Sequence, residues 1–439
     1  MSVRAFGQRG VALLVATLLA CDADAPAAPA PSGSTTATAS AALGPTSPVS
    51  APPAQPLLSG TTRPPVESAS AARSAATLPA NVEVLPHTFS SPGALFATRD
   101  YLYIVEATRE ATSRVRRVPL ADLGKLELAF EAPTLRRLHW VAPTSSSPAG
   151  SPKKQASASA PLAPTSSAGY LVAATRDHEI LAFDADSAVP RTITPGLDVV
   201  PRDSEHLLVL RRTDAGLVLV ELELGSAKET EIAVLEGRYA TDSGSLVVTT
   251  NDAYWLAFAD EAAVGATRSV SEPELAHASL DLKKARKNLK PKETPKAESL
   301  GVVRLSDQLA STPNAVFAAA LGRVYRFDER AKALVAITDV GATGLATRGE
   351  ALFFTNFDRE LLAVWRPREA SSPAAPTAPS VSASASAAAS ATPVSEPIGD
   401  TEVLLSQPGA AGITIAGDRL FWSNVSTGRV FSMPLDPKR

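Results

Sequence analysis

Gly412-Ile413-Thr414-Ile415-Ala416, then Asp418-Arg419-Leu420-Phe421-Trp422-Ser423-Asn424, then Gly428-Arg429-Val430-Phe431-Ser432-Met433-Pro434-Leu435 are three short runs of β-branched and aromatic residues. Gly417 and the Val425-Ser426-Thr427 loop separate them. Such side chains favour a pleated, half-buried surface, and glycine-bearing breaks mark turns, so the stretch reads strand, tight turn, strand, short loop, strand. The same rhythm recurs upstream. Leu345-Ala346-Thr347 leads to Ala351 to Asn356 and then to Leu361 to Trp365; Ala94 to Ala97 leads to Tyr101 to Val105 and then to Val115 to Leu120. Further units are Tyr170 to Ala173 with Ile180 to Phe183, and Leu207 to Leu210 with Leu217 to Glu221. Leu246 to Val248 with Tyr254 to Phe258, and Ala315 to Phe317 with Val324 to Phe327, complete seven.

Three low-complexity stretches disguise the period, at about 143–168, 268–299 and 370–397. Without them, the region 81–439 leaves about 39 residues per unit, the length of a four-stranded propeller blade. The expected fold is therefore all-β, a propeller of seven four-stranded blades. Val82-Glu83-Val84-Leu85 supplies a spare strand ahead of the first unit, and the last unit has only three. Pairing the two would close the ring and remove exposed sheet edges.

Leu420-Phe421-Trp422-Ser423-Asn424 and Leu352-Phe353-Phe354-Thr355-Asn356 resemble the Leu-Tyr-Trp-Thr-Asp core of YWTD-type propeller repeats and of related bacterial NHL-like propellers. The likeness continues through Gly428-Arg429-Val430 to Met433-Pro434-Leu435-Asp436. It implies the fold and leaves function open, because propellers host many unrelated activities.

The start of the chain has another character. Arg4 and Arg9 precede an apolar run, Val11 to Leu19, followed by Ala20 and Cys21, the only cysteine. A short cationic and apolar start is an export signal, and it falls well short of the ~20 residues that span a bilayer. Leu18-Leu19-Ala20-Cys21 resembles the lipobox of bacterial lipoproteins. That resemblance implies a signal peptide over 1–20, acylation of Cys21, and localisation as a membrane-anchored lipoprotein of the bacterial cell envelope. Ala23-Asp24-Ala25 is an alternative cleavage site that would release a soluble protein. Residues 21–80 are almost entirely Ala, Pro, Ser and Thr, too poor in bulky apolar groups to offset ordering entropy. As a coil, this tether would average about 40 Å end to end.

Composition excludes some functions. One cysteine allows no disulfide within the chain. The formal net charge of −3 becomes −5 without Arg4 and Arg9, which argues against nucleic acid as a partner. Apolar residues make up 45% of the chain, but much of that is alanine in low-complexity stretches, so the core is smaller than the figure implies.

No nucleophile-elbow, phosphate-loop or dinucleotide motif occurs. His87, His139, His178, His206 and His277 are scattered singly and read as surface residues. Asp184-x-Asp186-Ser187 reads as a turn, since it lacks the glycine and glutamate of a calcium loop. Asp198, Arg202, Asp203, Asp242 and Asp307 fall at inner strands or adjoining turns, where a channel metal site would gather; ordinary turn chemistry is the competing explanation. Trp140, Trp255, Trp365 and Trp422 read as blade packing. Ser271-Glu272-Pro273-Glu274 has capping-box spacing and predicts a helix to about Leu289. Lys283, Lys284, Arg286, Lys287, Lys290, Lys292 and Lys296 follow in its second half and beyond, a basic loop able to meet anionic lipid or polymer.

These readings favour a lipid-anchored binding or scaffolding module with a protein or envelope-polymer partner, no cofactor and no catalytic residues. The alternative is a metal-dependent hydrolase or lactonase with its site at the channel. An assembly role like that of the propeller lipoprotein in outer-membrane insertion is a third.

Overall fold

The computed structural model describes residues 78–435 except 109, 144–168, 185–188, 261–271, 288, 291–292, 304–307, 321, 329–331, 369–398 and 407–408. Cys21 and the segment leading from it lie outside the described residues.

The described residues form seven four-stranded antiparallel sheets. Strand β1 (Glu83–Val84) comes first and belongs to the last blade. Blade 1 is β2 (Pro92–Ala97), β3 (Tyr101–Ala107), β4 (Thr112–Pro119) and β5 (Glu127–Pro133). Blade 2 is β6 (Leu135–Val141), β7 (Tyr170–Thr175), β8 (Glu179–Asp184) and β9 (Arg191–Pro195). Blade 3 is β10 (Asp198–Pro201), β11 (His206–Thr213), β12 (Gly216–Glu223) and β13 (Lys228–Glu236). Blade 4 is β14 (Gly244–Val248), β15 (Asp252–Ala257), β16 (Glu274–Ser279) and β17 (Glu298–Val302), with a one-turn helix α1 (Leu282–Ala285) between the last two strands. Blade 5 is β18 (Gln308–Thr312), β19 (Ala315–Ala320), β20 (Arg323–Asp328) and β21 (Ala333–Ala336). Blade 6 is β22 (Gly344–Arg348), β23 (Ala351–Asn356), β24 (Leu361–Pro367) and β25 (Gly399–Ser406). Blade 7 is β26 (Ala410–Ala416), β27 (Arg419–Asn424) and β28 (Arg429–Pro434), completed by β1.

The ring closes as expected. Glu83 pairs with Ser432 and Val84 with Phe431, so the first described strand is the outermost strand of the last blade. The first strands of successive blades touch all the way round, from β2 through β6, β10, β14, β18, β22 and β26 back to β2. The seven sheets thus form a propeller with these strands innermost.

Both faces of each blade pack against a neighbouring blade, so the second strands lack the apolar–polar alternation of a half-exposed sheet. Tyr170–Thr175 and Ala315–Ala320 are buried at every position, as expected for strands covered on both sides. The apolar clusters lie between blades. Tyr103, Val115, Leu171 and Phe183 join blades 1 and 2, and Phe130 stacks on Phe183. Leu208, Leu219 and Trp255 join blades 3 and 4, and Phe317, Phe354 and Trp365 join blades 5 and 6. Trp255, Trp365 and Trp422 rank among the largest fully buried side chains.

The motif of blades 6 and 7 acquires a mechanical meaning here. Thr355 Oγ1 donates to Ala411 O on the next inner strand, and Ser423 Oγ donates to Gly93 O (2.9 Å) on the one after. Asn424 Oδ1 accepts from Thr427 N (3.0 Å), and Asn356 Oδ1 from Arg359 N, closing the turn after each second strand. The hydroxyl stitches one blade to the next, and the asparagine shapes the loop. Close approach needs small residues opposite: a Cβ on Gly412 would sit 2.1 Å from Gly93 O, and one on Gly344 2.4 Å from Ala411 O.

Antiparallel order divides the loops between two faces. Turns after the first and third strands emerge on one face. There the chain also reaches β1 from residue 78 and leaves β28 at Leu435, so we name it the terminal face. Strands β6, β16 and β24 also end on this face, and α1 lies on it. The other face carries the starts of the inner strands and the turns after the second strands.

Blade 4 corrects one expectation. Within 268–299 the structure has strand β16, paired residue for residue with β15 from Asp252–Ser279 to Ala257–Glu274. Leu275, Ala276 and Ala278 are buried there, so sheet pairing and apolar burial prevail over the capping-box pattern. The helix starts later and is one turn long. Asp281 caps it, its Oδ1 accepting from Lys283 N and Lys284 N at 3.1 Å each.

Candidate functional site

The mouth of the central channel opposite the terminal face is built by two adjacent arginines in Leu135-Arg136-Arg137-Leu138 of β6. Register shifts between Leu135 and Arg137 as β6 pairs with β7. Arg137 spans to blades 4 and 5. Its Nη1 donates to Leu246 O (3.0 Å), and its Nη2 to Ser245 Oγ (2.6 Å) and Leu309 O (3.1 Å). Ser245 adopts a left-handed backbone (φ 59°) at the irregular start of β14, and its hydroxyl also accepts from Leu309 N (2.8 Å). Arg136 Nη1 donates to Thr241 O (2.9 Å), and its Nη2 lies 3.6 Å from Asp242.

Asp198 stands where β10 begins, 2% exposed. Its Oδ2 accepts from Leu246 N (2.7 Å) of blade 4, and its Oδ1 from Val199 N (2.9 Å). Burial pushes its carboxyl above the ordinary range, opposed by the Arg137 charge and the two amides. Arg137 and Asp198 therefore converge on the same residue, Leu246, one taking its carbonyl and the other its amide. Inner strands leave backbone groups unpaired on the channel side, and here charged side chains satisfy them.

The residues singled out as channel candidates do not assemble. Asp198 and Asp242 lie at this mouth, but Asp242 is exposed and paired with Arg136. Arg202 and Asp203 lie at the other end of β10, on the terminal face. Arg202 pairs with Glu221 of β12. Asp203 Oδ1 accepts from Glu205 N and His206 N, both 2.8 Å, which is turn chemistry. Asp307, Asp186 and Ser187 lie outside the described residues. Among the described residues no group of three His, Cys, Asp or Glu side chains is arranged to hold a metal ion.

The histidines serve separate places. His206 Nδ1 lies 2.9 Å from Asp203, and His277 Nε2 lies 3.1 Å from Asp252 while its ring packs on Tyr254. His178 holds a left-handed turn position (φ 62°), and the His87 carbonyl accepts from Arg429 Nη1 (3.2 Å). His139, on β6 two residues from Arg137, has its Nε2 sealed from solvent without a hydrogen-bond partner. Burial, helped by the Arg137 charge, pushes its pKa down to about 3. Trp140 is half-buried beside the cluster joining blades 1 and 2.

Sequence reasoning passed over Arg136, Arg137, Ser245 and Leu309. One signal points to them: two consecutive arginines opening an apolar inner strand must send at least one guanidinium inward, where it needs acceptors. Their partners, more than a hundred residues away, carry no local signature.

No protein-family model matches the chain, and no curated protein matches it. Solved structures resemble it in architecture. A puromycin hydrolase shares 15% identity at a TM-score of 0.45, over 79% of this chain and 54% of that one. BamB from Moraxella catarrhalis shares 11% identity at a TM-score of 0.40, over 79% and 85% of the two chains. A chain of a mitotic checkpoint complex shares 9% identity at a TM-score of 0.47, over 82% and 96%. This chain spans about half of the puromycin hydrolase. Among the described residues no helix is long and apolar enough to cross a membrane.

Proposed function

We propose that this chain is a lipid-anchored β-propeller of a bacterial envelope that works as a binding or scaffolding module. The observation that carries the anchoring is the Leu18-Leu19-Ala20-Cys21 sequence after a short cationic and apolar start. Acyl chains contribute about 0.8 kcal/mol per buried methylene, so two or three hold a protein on a membrane. Support for binding rather than turnover comes from the channel mouth. Arg137 and Asp198 are committed to backbone groups and together bridge blades 2 to 5, which suits a rigid platform. A protein or envelope polymer docking across a face fits such a body better than a small molecule in the channel.

The test is intact mass of the membrane-extracted protein beside a Cys21→Ser variant, with metal content measured on the same samples. Diacyl mass present in the first, lost in the second, and no stoichiometric metal in either is the expected result. A chain without acyl mass that retains one divalent ion per molecule would replace this reading with the channel hydrolase.

A further inference from the structure

A run of exposed cations lies between β16 and β17. Leu280 is buried in the cluster joining blades 3 and 4, and Leu282 packs against that cluster, so the start of α1 is fixed to the body. From this mount Lys283, Lys284, Arg286, Lys287 and Lys290 are exposed. The four lysines form no ion pair among the described residues, and Arg286 Nη2 reaches only a carbonyl, Glu231 O, at 3.1 Å. The nearby acids are already engaged. Asp281 caps α1, Glu293 Oε2 accepts from Lys290 N (3.2 Å), and Lys296 pairs with Glu236 (2.9 Å). Beside the helix a depression of about 490 Å³ brings in Arg202 from blade 3, together with Lys283, Thr250 and Asn251.

This rim lies on the terminal face, because it leads from a third strand into a fourth-position strand, and the path into β1 enters a fourth-position strand at the same end. The described chain, from residue 78, therefore enters the ring on the side that carries the exposed cations. The ~57 residues between Cys21 and that point are enough chain for this face to reach the surface on which the acyl chains of the lipid-anchored reading would sit.

We propose that the Lys283–Lys290 rim of blade 4 docks on an anionic phospholipid surface and orients the ring with its terminal face toward the membrane. The proposal rests on the lipid-anchored reading above for its setting, though the docking itself needs no acyl group. Several cations on one rim gain attraction near an anionic leaflet, and the attraction fades over a Debye length, about 10 Å at 0.1 M salt. The orientation leaves the Arg136–Arg137 mouth facing away from the bilayer, open to partners.

The experiment uses the full chain carrying Cys21→Ser, so that no acyl chain contributes. It is floated with vesicles of phosphatidylcholine alone or with about a third phosphatidylglycerol, at low and high salt. The expected result is at least about tenfold stronger partition onto the anionic vesicles, abolished by high salt. Lys283→Glu, Lys284→Glu and Lys287→Glu combined should lower partition about tenfold. Arg176→Glu with Arg359→Glu, exposed cations on the opposite face, should leave it within about twofold. Circular dichroism and the thermal midpoint check that both variants fold. Equal binding by the triple variant, or indifference to lipid charge, overturns the proposal. Displacement by millimolar inorganic phosphate also overturns it and makes the depression beside Arg202 a free-anion site. Acyl mass and vesicle partition are separate readouts, so either reading can fail alone.

Discussion

The ring joins its blades in two ways. From blade 6 through blade 7 to blade 1, short hydroxyls on second strands, Thr355 and Ser423, reach the next inner strand across a gap kept narrow by Gly344 and Gly412. From blade 2 to blade 5, the long side chains of Arg136 and Arg137, with buried Asp198, span wider gaps. Both devices satisfy backbone groups that an innermost strand leaves unpaired. The first is a local motif repeated with the blade period. The second is a single assembly whose partners are separated by 48 to 172 residues in sequence. A repeated hydroxyl stitch is replaceable blade by blade, whereas a charged bridge fails as a unit.

The comparison breaks most clearly at Arg137. Arg137→Ala should cost about 3 kcal/mol in chemical denaturation followed by fluorescence of the buried tryptophans, because three acceptors lose a charged donor and Asp198 loses a compensating charge. Arg137→Lys should recover less than half, since an ammonium cannot fork to Ser245, Leu246 and Leu309 together. A full rescue by lysine would mean that charge alone matters and that the bridge geometry does not.

Next in size is Gly412→Ala on the stitched side. Its Cβ would meet Gly93 O at 2.1 Å, forcing blades 7 and 1 apart at a cost of about 2 kcal/mol. Gly225→Ala, with nothing near its Cβ, should fall within about 0.5 kcal/mol and serves as the control.

A pH experiment separates the two sides further. His139 beside Arg137 holds its pKa at about 3 in the folded ring, against 6.5 unfolded. Between those values the unfolded chain takes up a proton that the folded chain refuses, so stability falls as pH drops below 6.5. The loss should reach about 2 kcal/mol between pH 7 and about 4.5. His139→Leu should flatten that slope, and an unchanged slope would remove His139 from the account.

The smallest effect is expected for Ser423→Ala. Losing one neutral hydroxyl donor to Gly93 O should cost about 1 kcal/mol. Combined with Thr355→Val, the cost should be nearly additive, because the two stitches serve different seams. Strong coupling would show that the stitched side also behaves as a unit.

The stitched side is largely legible in the amino-acid sequence. Leu352 to Asn356 and Leu420 to Asn424 announce themselves by repetition, and the spare strand at Val82–Leu85 foretells the closure seen at Glu83–Ser432. Blade 4 is less legible. Ser271-x-x-Glu274 satisfies a helix-start rule, yet β15 offers six paired positions and an apolar seam to the residues that follow, and tertiary burial outweighs a local cap. The channel aspartates are legible as residue types but not as a group, because their grouping depends on which ends of β10 and β14 share a face.

The sequence by itself determined the all-β class, the seven-fold rhythm and the device of closure, since these follow from strand-length apolar runs at a regular spacing. It also supplied the lipobox-like start. Tertiary structure alone decided that Arg137 bridges blades 2, 4 and 5, that Asp198 is buried as a clamp on Leu246, and that the blade 4 cations share a face with the path into β1. Those facts depend on which distant residues the closed ring brings within a few ångströms, and short-range pattern carries no record of such distances.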